Sequence, residues 1–148
     1  MIQVKIKKLQ DGFIMPARMS PHAACFDLYA AISGTMKLLP SMVAYVPCGF
    51  SIEVPLNHEA QIRSRSGLAK DDKVFVINSP GTIDADYRGE VGVLLLNASQ
   101  NFTFILHPRT RIAQMVIKEV PQVELILSEE LSETERGTGG FGSTGRMK

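Results

Sequence analysis

Asp84, Asp86 and Tyr87 fall within four residues on the stretch Ile-Asp-Ala-Asp-Tyr-Arg-Gly, residues 83–89. An ionised carboxylate can take a proton from water or hold a cation, and a phenol offers both a hydroxyl and a flat face. Asn78-Ser-Pro-Gly-Thr-Ile leads into this stretch, and the apolar run Val91 to Leu96 follows it. Pro80-Gly81 is a turn signal and Gly89 frees the backbone again, so Thr82 to Arg88 reads as a tight hairpin braced by a buried strand. An Asp-rich surface turn would have the same composition. Four further groups could share the chemistry. Arg63-Ser-Arg-Ser-Gly, residues 63–67, places cations, hydroxyls and a glycine at the opening of a helical turn, as an anion site or a solvated basic turn would. Asp27 stands alone in the apolar run Ala24–Ala30, as a satisfied structural carboxylate or a ligand to hydrated Mg²⁺. Gln114, within Arg111–Met115, is an amide in an apolar run and needs partners.

The last of these groups is the tail. Ser128 to Glu135 carries four glutamates, and Arg-Gly-Thr-Gly-Gly-Phe-Gly-Ser-Thr-Gly follows over 136–145. Gly137, Gly139 and Gly142 satisfy the spacing of a dinucleotide-binding loop, but no strand leads in and no helix can follow in the six residues left. Such composition is ordinarily a solvated flexible tail. Arg136, Phe141, Ser143 and Thr144 add a guanidinium, an aromatic face and two hydroxyls, so the segment also reads as a mobile lid over phosphate and base.

The elements that must position these groups are strands. Ile2, Val4 and Ile6 alternate with polar residues, as do Phe50, Ile52 and Val54; further runs are Val43–Val46, Val74–Ile77, Phe102–Leu106, Ile112–Ile117 and Val123–Leu127. The eight prolines fall mostly between the runs, and only Arg65 to Lys70 suggests a helical turn. An all-β sandwich or jelly roll follows. The 148 residues suffice for one domain that buries roughly two-thirds of its unfolded surface. Residues 1–127 are expected to form it, with 128–148 as a mobile arm. Hydrophobic content of 45% with 21% charge is ordinary for a globular chain, and a net charge of +1 directs it to neither nucleic acid nor membrane. No run has the roughly 18 apolar residues of a membrane span, and the N-terminus is not a signal peptide. Cys25 and Cys48 without a Cys-x-x-Cys suit the cytoplasm, and the scattered His22, His58 and His107 have no zinc-site spacing.

Five segments in order, Ala24–Ala30, Arg65–Ala69, Asn78–Asn97, Arg111–Met115 and Arg136–Gly145, resemble the trimeric dUTP pyrophosphatase (dUTPase) family over nearly the whole chain. The resemblance implies a jelly-roll homotrimer that hydrolyses dUTP to dUMP and pyrophosphate by water attack on the α-phosphate, with Mg²⁺. Such a reaction limits uracil in DNA and supplies dUMP for dTMP synthesis. It implies sites at subunit interfaces. Asp84 resembles the base that activates water, and Tyr87 the platform under the deoxyribose. Asn78 resembles the residue that reads uracil, with backbone groups of Thr82, Ile83 and Asp84 beside it and Gly92 on the pocket wall. Arg65, Ser66, Gly67 and Gln114 resemble phosphate binders, and Asp27 the acid that holds Mg²⁺ through water. Arg136, Phe141, Gly142, Ser143 and Thr144 resemble the closing arm. Asp86, beside Arg88, is expected to form a structural ion pair instead.

Four departures alter turns and not reacting groups. Cys25 stands at a usual glycine, Phe26 at a common tyrosine, Ser64 at a usual proline, and His107-Pro-Arg-Thr at a usual Gly-Asp turn. Cys25→Gly and Ser64→Pro are therefore expected to keep activity within a few-fold. The competing readings are a catalytically inactive trimeric nucleotide-binding module and a dCTP deaminase-like enzyme of the same fold.

Overall fold

A computed structural model describes residues 1–143 and Gly145. Among them ten strands form: β1 Lys5–Lys8, β2 Phe26–Tyr29, β3 Met36–Leu38, β4 Val43–Glu53, β5 His58–Arg63, β6 Val74–Val76, β7 Gly81–Ile83, β8 Glu90–Asn97, β9 Phe104–Leu106 and β10 Arg111–Glu119. One wide helical turn, Leu68–Asp72, precedes β6. No helix among the described residues is long and apolar enough to cross a membrane.

Period-2 patterning sends alternate side chains inward. In β8, Val91, Val93 and Leu95 are buried, while Glu90, Gly92 and Leu94 face the other way. Two four-stranded antiparallel sheets result, ordered β1-β4-β8-β6 and β2-β10-β5-β7, with β3-β9 as a separate pair. Their inner faces share one core, which includes Leu28, Val46, Phe50, Val91, Leu95, Ile112 and Met115; Leu38 and Leu106 of the small pair join it. The expected all-β sandwich is what forms.

Several expectations about its parts need correction. Val43–Val46 and Phe50–Val54 belong mainly to one strand, β4, whose pairing with β8 is interrupted between Pro47 and Ser51. Gly49 makes this irregularity with φ +77, and a Cβ there would come within 2.9 Å of Ala31 Cβ. Glu90 Oε1 accepts the Gly49 N–H at 3.0 Å, so the irregularity is closed by the first residue of β8. The Thr82–Arg88 stretch is not a hairpin. β7 pairs with β5 in one sheet and β8 with β4 and β6 in the other, so residues 84–89 cross between sheets. The turn is still tight, with Tyr87 N–H donating to Asp84 O at 3.2 Å.

Val123–Leu127 forms no strand. Val123, Leu125, Ile126 and Leu127 are exposed by 77% or more, and β10 has already ended at Glu119. A strand needs an edge to pair with, and apolar alternation cannot supply one. At the N-terminus only Lys5–Lys8 pairs, through Lys5↔Glu53 to Lys8↔Phe50, which leaves Ile2 exposed.

Candidate active site

The crossover between the sheets builds a pocket of about 290 Å³. Asn78, Thr82, Ile83, Asp84, Tyr87 and Gly92 all line it, so six residues expected at the site from sequence come together on one concavity. Each is fixed by its element. Asn78 lies on the turn after β6, with its amide against Gly81, where a Cβ would meet Nδ2 at 3.0 Å. Ile83 is buried at the end of β7 and anchors the strand from which Asp84 emerges, exposed, at the pocket. The Tyr87 hydroxyl donates to Glu90 O at 3.0 Å, and its ring covers Gly89 so closely that a Cβ there would overlap it. Tyr45, Glu90, Val91 and Leu94 complete the lining. Tyr45 was not legible as a site residue: it lies in a strand run 39 residues before Asp84, and only the β4–β8 register brings it to Gly92. Its phenol is pushed up from the ordinary tyrosine value by burial first, then by the Glu90 carboxylate and Tyr87.

Asp86 is exposed on the same turn and is not part of the pocket lining. Its expected pairing with Arg88 does not form. Arg88 Nη1 donates to the carbonyls of Ala85 and Tyr87, at 2.7 and 2.8 Å. The guanidinium ties the turn to itself, because those carbonyls have no strand partner.

A second group gathers where β2 and β10 pair, with Gln114 opposite Asp27. Asp27, with 13% of its side chain exposed, accepts from Arg111 Nη1 at 3.0 Å and has Arg65 Nε 3.7 Å away. Arg65 Nη1 donates to Arg111 O at 3.0 Å. Gln114 Nε2 donates to Ser64 O at 2.8 Å, which supplies the partner a half-buried amide requires. Ser66 and Gly67 are exposed at the start of the helical turn beside this group. Arg65, Gln114 and Asp27 therefore cluster, but they do not line the pocket of Asp84.

Ser64 proves to be more than a spacer. Its N–H donates to Ser79 Oγ at 3.3 Å, its own Oγ accepts from Val76 N–H at 3.0 Å, and its carbonyl accepts from Gln114. It links the anion turn to the turn that carries Asn78. Among the described residues, no group of three His, Cys, Asp or Glu side chains could hold a metal ion. Mg²⁺ characteristically takes one or two carboxylates together with substrate phosphates and water, so a lone Asp27 fits an ion that arrives on a phosphate chain.

Among the described residues, the arm joins neither group and its hydrogen bonds stay within itself. Arg136 Nε donates to Gly139 O at 2.8 Å, Gly139 N–H donates back to Arg136 O at 3.0 Å, and Ser143 N–H donates to Gly140 O at 3.0 Å. The Phe141 ring is fully exposed, and Gly142, at φ +90, continues the turn where other residues would be strained. Thr144 lies outside the described residues. Both cysteines are free.

The dUTPase family profile matches residues 11–145. The chain belongs to the dUTPase family. A deoxyuridine 5'-triphosphate nucleotidohydrolase of Syntrophotalea carbinolica is 46% identical over 144 residues, covering 97% of each chain. Among solved structures, the dUTPase of Staphylococcus bacteriophage 80alpha with dUPNHPP superposes with a TM-score of 0.84 at 26% identity, covering 97% of this chain and 99% of that one. A mutant dUTPase from phage phi11 of S. aureus, described with the coordination of a structural Mg(II) ion, gives 0.80 at 21% identity over 88% and 99%. At that identity the last comparison speaks for the fold. The matched range spans the sandwich and all five segments, including the turn at Asp84.

Proposed function

We propose that this chain hydrolyses dUTP to dUMP and pyrophosphate by attack of water on the α-phosphate. The observation that carries the proposal is the convergence of Asn78, Thr82, Ile83, Asp84, Tyr87 and Gly92 on one pocket. In this reading the Asn78 amide and the backbone of Thr82 to Asp84 read the base. Uracil and cytosine reverse a donor and an acceptor at positions 3 and 4, and a site built to pair one leaves buried groups unpaired with the other. Tyr87, locked by its bond to Glu90 O, is the flat platform for the deoxyribose. Asp84 positions water and removes its proton, a contribution of about 10²- to 10⁴-fold.

The triphosphate needs cations, which the pocket itself lacks. The guanidiniums of the second group, Arg65 and Arg111 around Asp27, supply them, and Ser66, Gly67 and Gln114 add neutral hydrogen-bond donors. Mg²⁺, when bound with the triphosphate near Asp27, would neutralise charge on the phosphate oxygens. Because Arg65, Gln114 and Asp27 do not line the pocket of Asp84 in their own chain, we infer a homotrimer in which the pocket of one subunit meets the anion group of another. The arm of residues 128–148 would then close over the substrate, with Phe141 on the base and Arg136, Ser143 and Thr144 on the terminal phosphate. The two free thiols suit the cytoplasm as the place of reaction.

Pyrophosphate release measured with dUTP, dCTP and dTTP tests the reading. Release from dUTP at least about a hundredfold above the other two is expected. No release would favour an inactive binding module, and ammonia released from dCTP would favour a deaminase; either would reject the proposal.

A further inference from the structure

Tyr45 lies in the pocket without a role in the reading above. It pairs with Leu94 across β4 and β8, so Gly92 is two residues along β8 on the same outward face. The ring leans over Gly92, where a Cβ would overlap its edge and hydroxyl. Gly89 and Tyr87 repeat the arrangement three residues earlier. Two tyrosine rings therefore rest on two glycines of one segment, and each takes the space a side chain would fill. The Tyr45 residue is 52% exposed, and what it exposes contributes to the pocket wall with Asn78, Asp84 and Tyr87. A ring packed on backbone cannot retreat toward the strand, so on that side it bounds the pocket.

We propose that Tyr45, seated on Gly92, is a specificity-determining residue of the nucleoside pocket, excluding pyrimidines that carry an added substituent such as a 5-methyl group. This rests on the dUTP reading. Discrimination of this kind works by a built clash and not by a better contact with the accepted substrate. One methyl group against a packed wall is worth about 10- to 200-fold, within reach of a single aromatic ring. The same geometry makes Gly92 part of the device, since any side chain there must displace the ring.

The test is kcat/KM for dUTP and dTTP in the full-length protein, its Tyr45→Ala and Tyr45→Phe variants, and Gly92→Ala. Tyr45→Ala should lower the dUTP-to-dTTP preference by about tenfold or more, chiefly through the KM for dTTP. Tyr45→Phe, which restores the ring, should recover most of that preference. Gly92→Ala should raise the KM for dUTP by about tenfold with less effect on kcat. An unchanged preference in Tyr45→Ala, in an otherwise active enzyme, overturns this inference alone. If that variant does not fold, Gly92→Ala decides, and an unaltered KM there overturns it equally. A wild-type protein that leaves dUTP intact would overturn the dUTP reading itself.

Discussion

At Asp84 the choice between two acids becomes geometric. Spacing alone leaves Asp84 and Asp86 equivalent, because residues two apart share a face if the segment is extended. The segment is not extended: it turns between Asp84 and Tyr87, putting Asp84 on the pocket and Asp86 outside it. Asp84→Asn keeps shape and an acceptor but cannot take a proton. It should lower kcat by about 10² or more, some 3 kcal/mol of barrier, while calorimetry shows a non-hydrolysable dUTP analogue binding with similar affinity. Asp86→Asn should keep near-normal turnover. The reverse pattern would move the base to Asp86. The two thiols divide as sharply. Cys48 is 1% exposed, and burial first, then the Glu90 carboxylate, pushes its thiol up from the ordinary 9.0 to about 12. An acid whose folded value is raised adds stability below its unfolded value and loses it as pH rises toward the folded one. Denaturant titrations should therefore show stability falling between about pH 9 and 12, and falling less in Cys48→Ala. At neutral pH native protein should be alkylated at the half-buried Cys25 and at Cys48 only after unfolding.

At the scale of elements, sequence patterning located strands better than it located their partners. β8 is legible from Val91 to Leu96, but the apolar run reads as wholly buried. Its outward residues Gly92 and Leu94 serve the pocket instead, and apolar side chains lining a cleft look the same in sequence as those in a core. The crossover at residues 84–89 has the turn residues of a hairpin, and nothing local says that the next strand joins another sheet. Ser64 shows the opposite failure. In sequence Ser64 stands at a usual proline and its exchange for one reads as harmless, but its three hydrogen bonds tie β6, the Ser79 turn and Gln114 together. Ser64→Pro removes both the N–H and the Oγ and leaves the Val76 N–H without that acceptor, at a cost of about 1–3 kcal/mol. Thermal unfolding should show a clearly lowered Tm, and an unchanged Tm would mean water replaces these contacts. The arm was legible as an element without a core. Ordering its ten residues from Arg136 to Gly145 costs roughly 1–2 kcal/mol each, while Phe141 stacking returns about 1–3 kcal/mol, so phosphate contacts must contribute the rest. Truncation after Glu135 should leave the sandwich folded and remove most turnover; unchanged kcat/KM would exclude the lid.

For the whole molecule, the strands and the five chemical segments could be read along the chain, but their division into two groups could not. Distances between segments belong to the fold, and a site completed by another chain leaves no mark on spacing. The apolar Val123, Leu125, Ile126 and Leu127 stand exposed, as a segment awaiting an adjacent subunit would. Subunit mixing tests whether the site is shared between chains. Asp84→Asn disables the pocket, and Arg65→Ala disables the anion group. Each homotrimer should be nearly inactive, but dissociating and reassembling equal amounts together creates trimers in which an intact pocket faces an intact anion group. With a shared site, dUTP hydrolysis should recover to about a quarter of the wild-type rate. Activity that stays at the level of the two parents, in trimers proven to be mixed, would contradict it and return the complete site to a single chain.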